Sequence, residues 1–191
     1  MTQRPQSMVI DDLSKAPPLA ANGAKWGLFT DQVMGGVSQA TMVREIIAGR
    51  TAIRIRGDVS LENNGGFVQI ALDVSPSGEP LDVSEFDGIE IDVFGNSERY
   101  GLHLRTADMT RPWQSYRQIF RAADTWQTVH LPFAGFEAHR IDVQLNHGCV
   151  RRIGLVAIGR AFAADLSLGR IAFYTAQWRK PTWGSKPAED H

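Results

Sequence analysis

The residues of this sequence that are best suited to hold a ligand occur between positions 103 and 118. Two predicted strands and their connecting loop, 107–114, contain six of them: His103, Arg105, Trp113, Tyr116, Arg117 and Gln118. An arginine beside aromatic and amide side chains is a common arrangement for holding sugars, carboxylates and peptides. If the strands pair as a hairpin, His103 and Arg105 share a face with alternate residues of the second strand, and the sequence leaves open which set. The plainer alternative is a solvated sheet face with Tyr116 in the core.

A second candidate segment, residues 26–38, does not follow the alternation expected of a strand. Five of its residues could bind or position a ligand: Asp31, Met34, Gly35, Gly36 and Ser38. The two glycines permit positive φ angles and a close approach of the backbone. The Asp and Ser side chains can satisfy free N–H groups. The pattern therefore predicts a tight loop, which either locks a turn between two strands or contacts a ligand directly.

Metal and catalytic sites have less support in the sequence. Asp11 and Asp12 could join a structural calcium site, although acidic pairs at strand edges are more often solvated. His147 and Cys149 are two residues apart, but a turn that ends in a buried thiol explains them more simply. No phosphate-binding loop, dinucleotide fingerprint, G-x-S-x-G elbow or H-E-x-x-H motif is present. We therefore predict no metal, no cofactor and no catalytic residue.

Composition narrows the class of partner. The 191 residues include 20 basic and 21 acidic side chains, and the resulting net charge of −1 argues against nucleic acid as a partner. The sequence has no run of about 18 apolar residues that would form an integral membrane segment. Cys149 is the only cysteine, so no internal disulfide can form and a reducing compartment is expected. Because no signal or transit peptide is recognisable, we expect a cytoplasmic protein.

Alternation of apolar and polar residues is the signal repeated along the chain. It is clear in residues 53–61, 68–72, 89–93 and 100–105, and it is the pattern of half-buried strands. Together with the Gly- and Asn-rich turns between these runs, it predicts an all-β sandwich or jelly roll of about ten strands, with very little helix.

The same pattern supports several finer predictions. We expect one long strand near the end of the chain, with Gly169 as a bulge or kink, and a largely buried Trp126. We place a single domain at residues 8–178, preceded by a loose segment, 1–7, and followed by a polar, Pro-containing tail, 179–191.

Several stretches resemble one known family. Trp26 and residues 31–38 resemble the D-x-V-M-G-G-x-S signature of the complex I intermediate-associated protein 30 family. Other stretches match the same family in the same order: Asn64-Gly65-Gly66-Phe67, Phe86-Asp87-Gly88-Ile89, Leu102-His103-Leu104-Arg105-Thr106, Ser115-Tyr116 and Leu131-Pro132-Phe133. The resemblance extends from about residue 9 to residue 178 and adds Asn64 to the candidate binding residues.

The resemblance implies a fold and a function. It implies a galactose-binding-domain-like jelly roll, and a non-catalytic scaffold or chaperone such as the family members that help assemble respiratory NADH:ubiquinone oxidoreductase in mitochondria. This chain departs from the family pattern at residues 95–97, in the short stretch 137–149, and in having no mitochondrial presequence. It therefore resembles a compact bacterial-type member, whose client need not be complex I.

Three functions remain open on the sequence. The first is an assembly factor with a protein partner, such as a respiratory-complex assembly intermediate, and it predicts a flat or apolar outer patch. The second is a module for a carbohydrate or another small ligand, which predicts a groove with an exposed aromatic residue, for which Trp113 is the best candidate. The third and weakest is an enzyme that uses the face of residues 103–118, which predicts a cleft with a strongly perturbed titratable group.

Overall fold

The protein is an all-β structure, as predicted. A computed structural model describes residues 6–176, and within that range the chain forms twelve β-strands, four short 3-10 turns and no α-helix. The strands are β1 (Ser7–Asp11), β2 (Gly27–Thr30), β3 (Gln39–Ile47), β4 (Arg50–Val59), β5 (Phe67–Asp73), β6 (Gly88–Phe94), β7 (Arg99–Thr106), β8 (Ser115–Arg121), β9 (Gln127–Pro132), β10 (Glu137–His139), β11 (Val150–Ile158) and β12 (Phe162–Tyr174).

Two sequence predictions fall mainly beyond the described range. The predicted loose segment 1–7 overlaps the range only at its last two residues, and the second of these, Ser7, begins β1. The predicted polar tail, 179–191, lies outside the described residues, so the domain limits stay predictions. Within residues 6–176, no helix has the length and apolar character needed to cross a bilayer.

The described strands form two antiparallel sheets of six, which pack face to face. The front sheet has the order β10-β8-β7-β11-β5-β2. The back sheet has the order β3-β4-β12-β6-β9, and β1 pairs with the end of β12 that β4 leaves free. A core cluster of apolar side chains from both sheets fills the space between them. This is the jelly-roll sandwich predicted from the alternation.

The alternation decides which side chains enter the core. In β7, Tyr100, Leu102 and Leu104 are buried between the sheets. His103 and Arg105 have the opposite parity and therefore point away from the back sheet. The outer face of the front sheet thus carries several of the side chains predicted to hold a ligand.

The longest strand, β12, confirms the prediction of one long strand with an irregularity at Gly169. Its pairing with β6 changes register between Leu168 and Arg170. A Cβ at position 169 would lie 2.8 Å from Nε of Arg50. Glycine therefore leaves room for an arginine side chain at the point where the strand is irregular.

Trp126 departs from its predicted position. We expected it to be largely buried, but it is only partly buried and immediately precedes β9. Its Nε1 donates to the carbonyl of Ile47 at 2.9 Å, and the Arg50 guanidinium lies 4.9 Å from its ring centroid. Val129 and Leu131 pair with core residues of β6 and take the inward positions. Trp126 has the opposite parity and therefore lies on the outer face.

Candidate functional site

A groove crosses the outer face of the front sheet. Two adjoining cavities of about 440 and 600 Å³ form it. They share four lining residues: His103, Arg117, Val156 and Ile158. These side chains come from outward positions of β7, β8 and β11. The loop 107–114 and the 3-10 turn at residues 31–34 border the smaller cavity.

Small residues keep the middle of the groove open. Gly101 of β7 pairs with Val156 of β11, and Gly154 pairs with His103. The His103 imidazole lies over Gly101, and the Gln69 side-chain amide lies over Gly154, so a Cβ at either glycine would crowd a polar group of the floor. The glycines therefore allow polar side chains to lie flat along the sheet.

Arg105 lines the groove but uses its hydrogen bonds to hold the neighbouring loop. Its Nη1 donates to the backbone carbonyls of Arg111, Pro112 and Gln114 at 3.2, 2.8 and 2.8 Å. Arginine suits this position because its planar fork presents several donors at once. The structure thus places this predicted ligand contact as an anchor of the loop 107–114.

Exposed apolar side chains border the groove. Trp113 of the loop 107–114 is 53% exposed, and Met34 and Val33 of the turn 31–34 are 64% and 77% exposed. All three line the same cavity. The fold therefore brings together Trp113 and Met34, two predicted binding residues that are distant in sequence.

His103 and Arg117 are opposite each other on neighbouring strands of the groove floor. Burial, together with the positive charges of Arg117 and His139, lowers the pKa of His103 to about 3. The imidazole is therefore neutral at physiological pH and can both donate and accept one hydrogen bond. Arg117 donates from Nε to Oγ of Ser115 at 2.8 Å.

Tyr116 does not belong to the groove, which corrects its predicted role. It pairs with Leu104 and shares that residue's inward face, where it is 1% exposed. Its hydroxyl donates to the carbonyl of Val143 at 2.7 Å. Gln118 also has inward parity, but its amide packs beside Gly135 at the sheet edge and lines one end of the groove.

Asp31 and Ser38 form a buried polar cluster under the turn 31–34. The Asp31 carboxylate accepts hydrogen bonds from the Ser38 amide and hydroxyl at 2.9 and 2.5 Å, and from the Gly66 amide at 2.5 Å. Burial would raise the pKa of Asp31, but these bonds outweigh it, and the pKa lies below its ordinary value. Both residues are fully buried, so the structure favours the interpretation that they lock the turn.

The glycines around this cluster make room for the Asp31 carboxylate or shape the turn. A Cβ on Gly36 would overlap that carboxylate, and one on Gly65 would lie 2.5 Å from Oδ2. Gly35 has a φ of 85° and ends the 3-10 turn. Asn64 also has positive φ and is exposed, but it lies outside both cavities. The two segments that resemble the family, residues 31–38 and 64–67, thus form one structural unit.

The positions considered for metals are explained by protein contacts. Asp11 is fully buried and accepts from Trp26 Nε1 at 2.7 Å and from the amides of Leu13 and Ala21 at 2.9 Å. His147 stacks against Phe133, with ring centroids 4.5 Å apart. Among residues 6–176, no group of three or more histidine, cysteine or acidic side chains is arranged to hold a metal ion.

Sequence reasoning missed the part of the floor that comes from β5 and β11. Phe67, Gln69, Arg152, Val156 and Ile158 line the groove because β11 lies between β7 and β5. Their outward parity could be read from the alternation. Their position on the same floor as the outward side chains of β7 depends on strand order, which the alternation does not contain.

Comparison with known proteins gives the family. Residues 18–168 match the sequence model of complex I intermediate-associated protein 30 (CIA30). The chain belongs to this family. The matched range contains the turn 31–34, the Asp31 cluster and the whole groove floor, so the groove is part of the CIA30 domain. No significant match was found among curated protein sequences.

Solved structures confirm the fold of this CIA30 domain. The family 11 carbohydrate-binding module of the cellulosomal cellulase Lic26A-Cel5E from Clostridium thermocellum is similar with a TM-score of 0.67 and 13% identity, over 89% of this chain and 95% of the module. The family 30 module of cellulase Cel9D-Cel44B from the same organism has a TM-score of 0.61 and 13% identity, over 88% and 98%. At this identity the likeness establishes the jelly-roll fold.

Proposed function

We propose that this CIA30 domain is a non-catalytic binding module that holds an extended segment of a protein partner in the front-sheet groove, as an assembly factor would. The observation that carries the proposal is the groove itself, bordered by exposed Trp113, Met34 and Val33. Adaptable methionine and aromatic side chains are frequent at protein-binding surfaces. Membership of a family named for association with complex I intermediates supports a protein client.

Catalysis is less well supported than binding. His103 is the strongly perturbed titratable group of the groove, which is the feature an enzyme would need. With a pKa of about 3, however, it carries no second proton at neutral pH and is a weak base. Within residues 6–176, no side chain is hydrogen-bonded to its imidazole in the way that orients a catalytic histidine.

Carbohydrate binding is the second candidate, and the exposed Trp113 favours it. An aromatic ring beside amide and imidazole groups can stack on a sugar while polar groups bind its hydroxyls. One structurally similar family 11 module, with a TM-score of 0.67, was determined with a β-1,3-1,4-mixed-linked tetrasaccharide. The groove would then hold a neutral glycan.

A comparative pull-down from native lysate, with identification by mass spectrometry, tests the proposal. Wild type is compared with Trp113→Ala and Met34→Glu. The matched control is Ile46→Glu, because Ile46 is 73% exposed but lies on β3 of the back sheet. We expect a protein captured by wild type and by the control to be lost from both groove variants.

Two outcomes would contradict the protein-partner proposal. Equal capture of every protein by wild type and both groove variants would place the interaction surface outside the groove. A signal on a glycan array that disappears in Trp113→Ala, without any groove-dependent protein, would support the carbohydrate module instead.

A further inference from the structure

The groove has an excess of positive charge. Among described residues, its lining includes five arginines and one acidic residue, Glu137. The protein as a whole has a net charge of −1, so this concentration is local. An excess of arginines in a groove favours a ligand with negative charge.

Three of these arginines already have partners within the protein. Arg105 donates to the carbonyls of the loop 107–114. Arg152 is paired with Asp73 at 2.8 Å, and Arg160 with Glu98 at 2.5 Å. The carboxylates compensate the charges of Arg152 and Arg160, and the loop carbonyls occupy donors of Arg105.

Arg117 is different because it lies on the groove floor with neither a counterion nor a set of carbonyl acceptors. Among residues 6–176, no carboxylate oxygen lies within 4.0 Å of its guanidinium, which donates to the neutral hydroxyl of Ser115. Burial lowers the pKa of Arg117, and the charge of Arg140 lowers it further. A half-buried guanidinium without an anion retains unfilled hydrogen-bonding capacity on its planar fork.

The surroundings of Arg117 favour a peptide over a glycan as the source of the anion. Aliphatic side chains, Val33, Met34, Val156 and Ile158, line the cavity around the floor. These residues offer contacts to apolar side chains but no flat ring on which a sugar could stack. Two aromatic side chains, Trp113 and Phe67, also line this cavity, and they can equally pack against apolar side chains of a peptide.

We propose that the groove binds an acidic peptide segment and that the guanidinium of Arg117 holds a carboxylate of that segment. This inference rests on the proposed function and names the chemistry of the partner. The neutral imidazole of His103, opposite Arg117, supplies a further hydrogen bond without competing for the anion. Apolar side chains of the peptide pack against Met34 and Val33.

Glu137 is the residue that could compete with such a ligand. It is the Cα partner of Arg117 on β10 and lines the groove, but its carboxylate is more than 4.0 Å from the guanidinium. If a peptide carboxylate binds Arg117, Glu137 repels it. Glu137→Gln should then strengthen binding, whereas a merely structural role for Arg117 predicts no such gain.

A peptide array with the full chain tests the proposal. Each twelve-residue peptide is printed in three versions, with Glu, Gln or Lys at the same two positions among apolar residues. We expect wild type to bind Glu versions at least about tenfold more strongly than Gln versions, which is the typical effect of one charge-assisted hydrogen bond. The strongest acidic peptide is then titrated in solution by fluorescence anisotropy.

Variants assign the effect to the guanidinium. Arg117→Gln should weaken binding of the acidic peptide by about tenfold to a hundredfold, and Arg117→Lys should weaken it less. Arg56→Gln removes the same charge from an exposed position of β4 in the back sheet and should leave the affinity unchanged. Equal thermal melting midpoints of the Arg117 variants and wild type exclude unfolding as the cause.

Equal binding of Glu and Gln peptides, or full binding by Arg117→Gln, would overturn the inference. If polygalacturonate binds in an Arg117-dependent way and no peptide binds, the ligand of the groove is an acidic glycan. That result would overturn the proposal of an acidic peptide. Failure of the proposed function gives a different result: in the pull-down, wild type and the groove variants would capture the same proteins equally. Groove-dependent capture together with charge-independent peptide binding would overturn this inference alone.

Discussion

At the scale of single residues, Asp31 has the clearest structural role. Its carboxylate joins the turn 31–34 to the backbone at Gly66, which immediately precedes β5. Four donors within 3.3 Å depend on this one side chain. A buried carboxylate with this many donors holds its surroundings in one arrangement. The position of Met34 beside the groove follows from that arrangement.

Asp31→Ala should lower the free energy of unfolding by about 3 kcal/mol, because it leaves buried donors of Ser38 and Gly66 unpaired. Asp12→Ala is the control, since Asp12 is exposed and accepts from the Ser14 amide of its own turn; this change should cost less than about 0.5 kcal/mol. Urea denaturation measures both. Similar losses in the two variants would show that the cluster does not stabilise the turn.

The buried His103 predicts a particular pH dependence of stability. Its folded pKa of about 3 lies below the unfolded value of about 6.5. Between these two pH values the unfolded chain is protonated at His103 and the folded chain is not. The stability present above about pH 6.5 is therefore lost as the pH falls towards 3. The slope is at most about 1.4 kcal/mol per pH unit from this group.

His103→Gln should flatten the fall of the unfolding free energy between pH 6.5 and pH 4. Leu104→Ala, on the same strand, should lower stability at every pH without changing the slope, because it removes no titratable group. Urea titrations at several pH values make the comparison. A slope in His103→Gln as steep as that of wild type would mean that another group is responsible.

At the scale of elements, the loop 107–114 depends on β7 for its order. Arg105 presents one guanidinium to three loop carbonyls, which would otherwise have to be satisfied by water. The Gln114 side chain adds a second brace by accepting from the amides of Thr110 and Arg111 at 3.0 Å. These contacts of Arg105 and Gln114 therefore hold Trp113 beside the groove.

Arg105→Ala should increase amide hydrogen exchange in residues 107–114 and reduce stability by about 1–3 kcal/mol. Arg99→Ala is the control, because Arg99 is an exposed residue of the same strand and face. Hydrogen-exchange mass spectrometry gives the exchange rates. Unchanged exchange in Arg105→Ala would show that the loop is ordered by other contacts. The sequence prediction that Arg105 contacts a ligand directly would then be favoured again.

At the scale of the whole molecule, the two-sheet sandwich separates stability from binding. The space between the sheets is filled by apolar residues such as Phe173, which is fully buried and lies 5.9 Å from the ring of Phe86. The groove is on the other side of the front sheet and contributes little to the core. Side chains there can therefore change without loss of the fold.

Phe173→Ala should cost about 3–5 kcal/mol of unfolding free energy, because it leaves a cavity in the core. Trp113→Ala, with half of the side chain already exposed, should change stability by less than about 1 kcal/mol. Thermal or urea unfolding of the two variants provides the test. A large loss in Trp113→Ala would mean that the loop packs as part of the core.

Part of the site could be predicted from the sequence because parity along a strand is local. His103 and Arg105 were placed on an outward face by alternation with Leu102 and Leu104, and the structure has them there. Which residues of β8 join them could not be predicted. The register pairs His103 with Arg117 rather than with its neighbours, and a shift of one residue would have exchanged the two faces.

The sequence by itself determined the elements of this protein: an all-β chain, the bulge at Gly169, the tight glycine turn after Asp31 and membership of the CIA30 family. These features depend on local patterns of residue type. Tertiary structure decided what those elements build. Only strand order places Arg152 beside Arg105 and the Gln69 amide over Gly154, and only the docking of residues 62–66 on Asp31 turns two separate motifs into one unit. Such contacts join residues far apart in the chain, so no local pattern contains them.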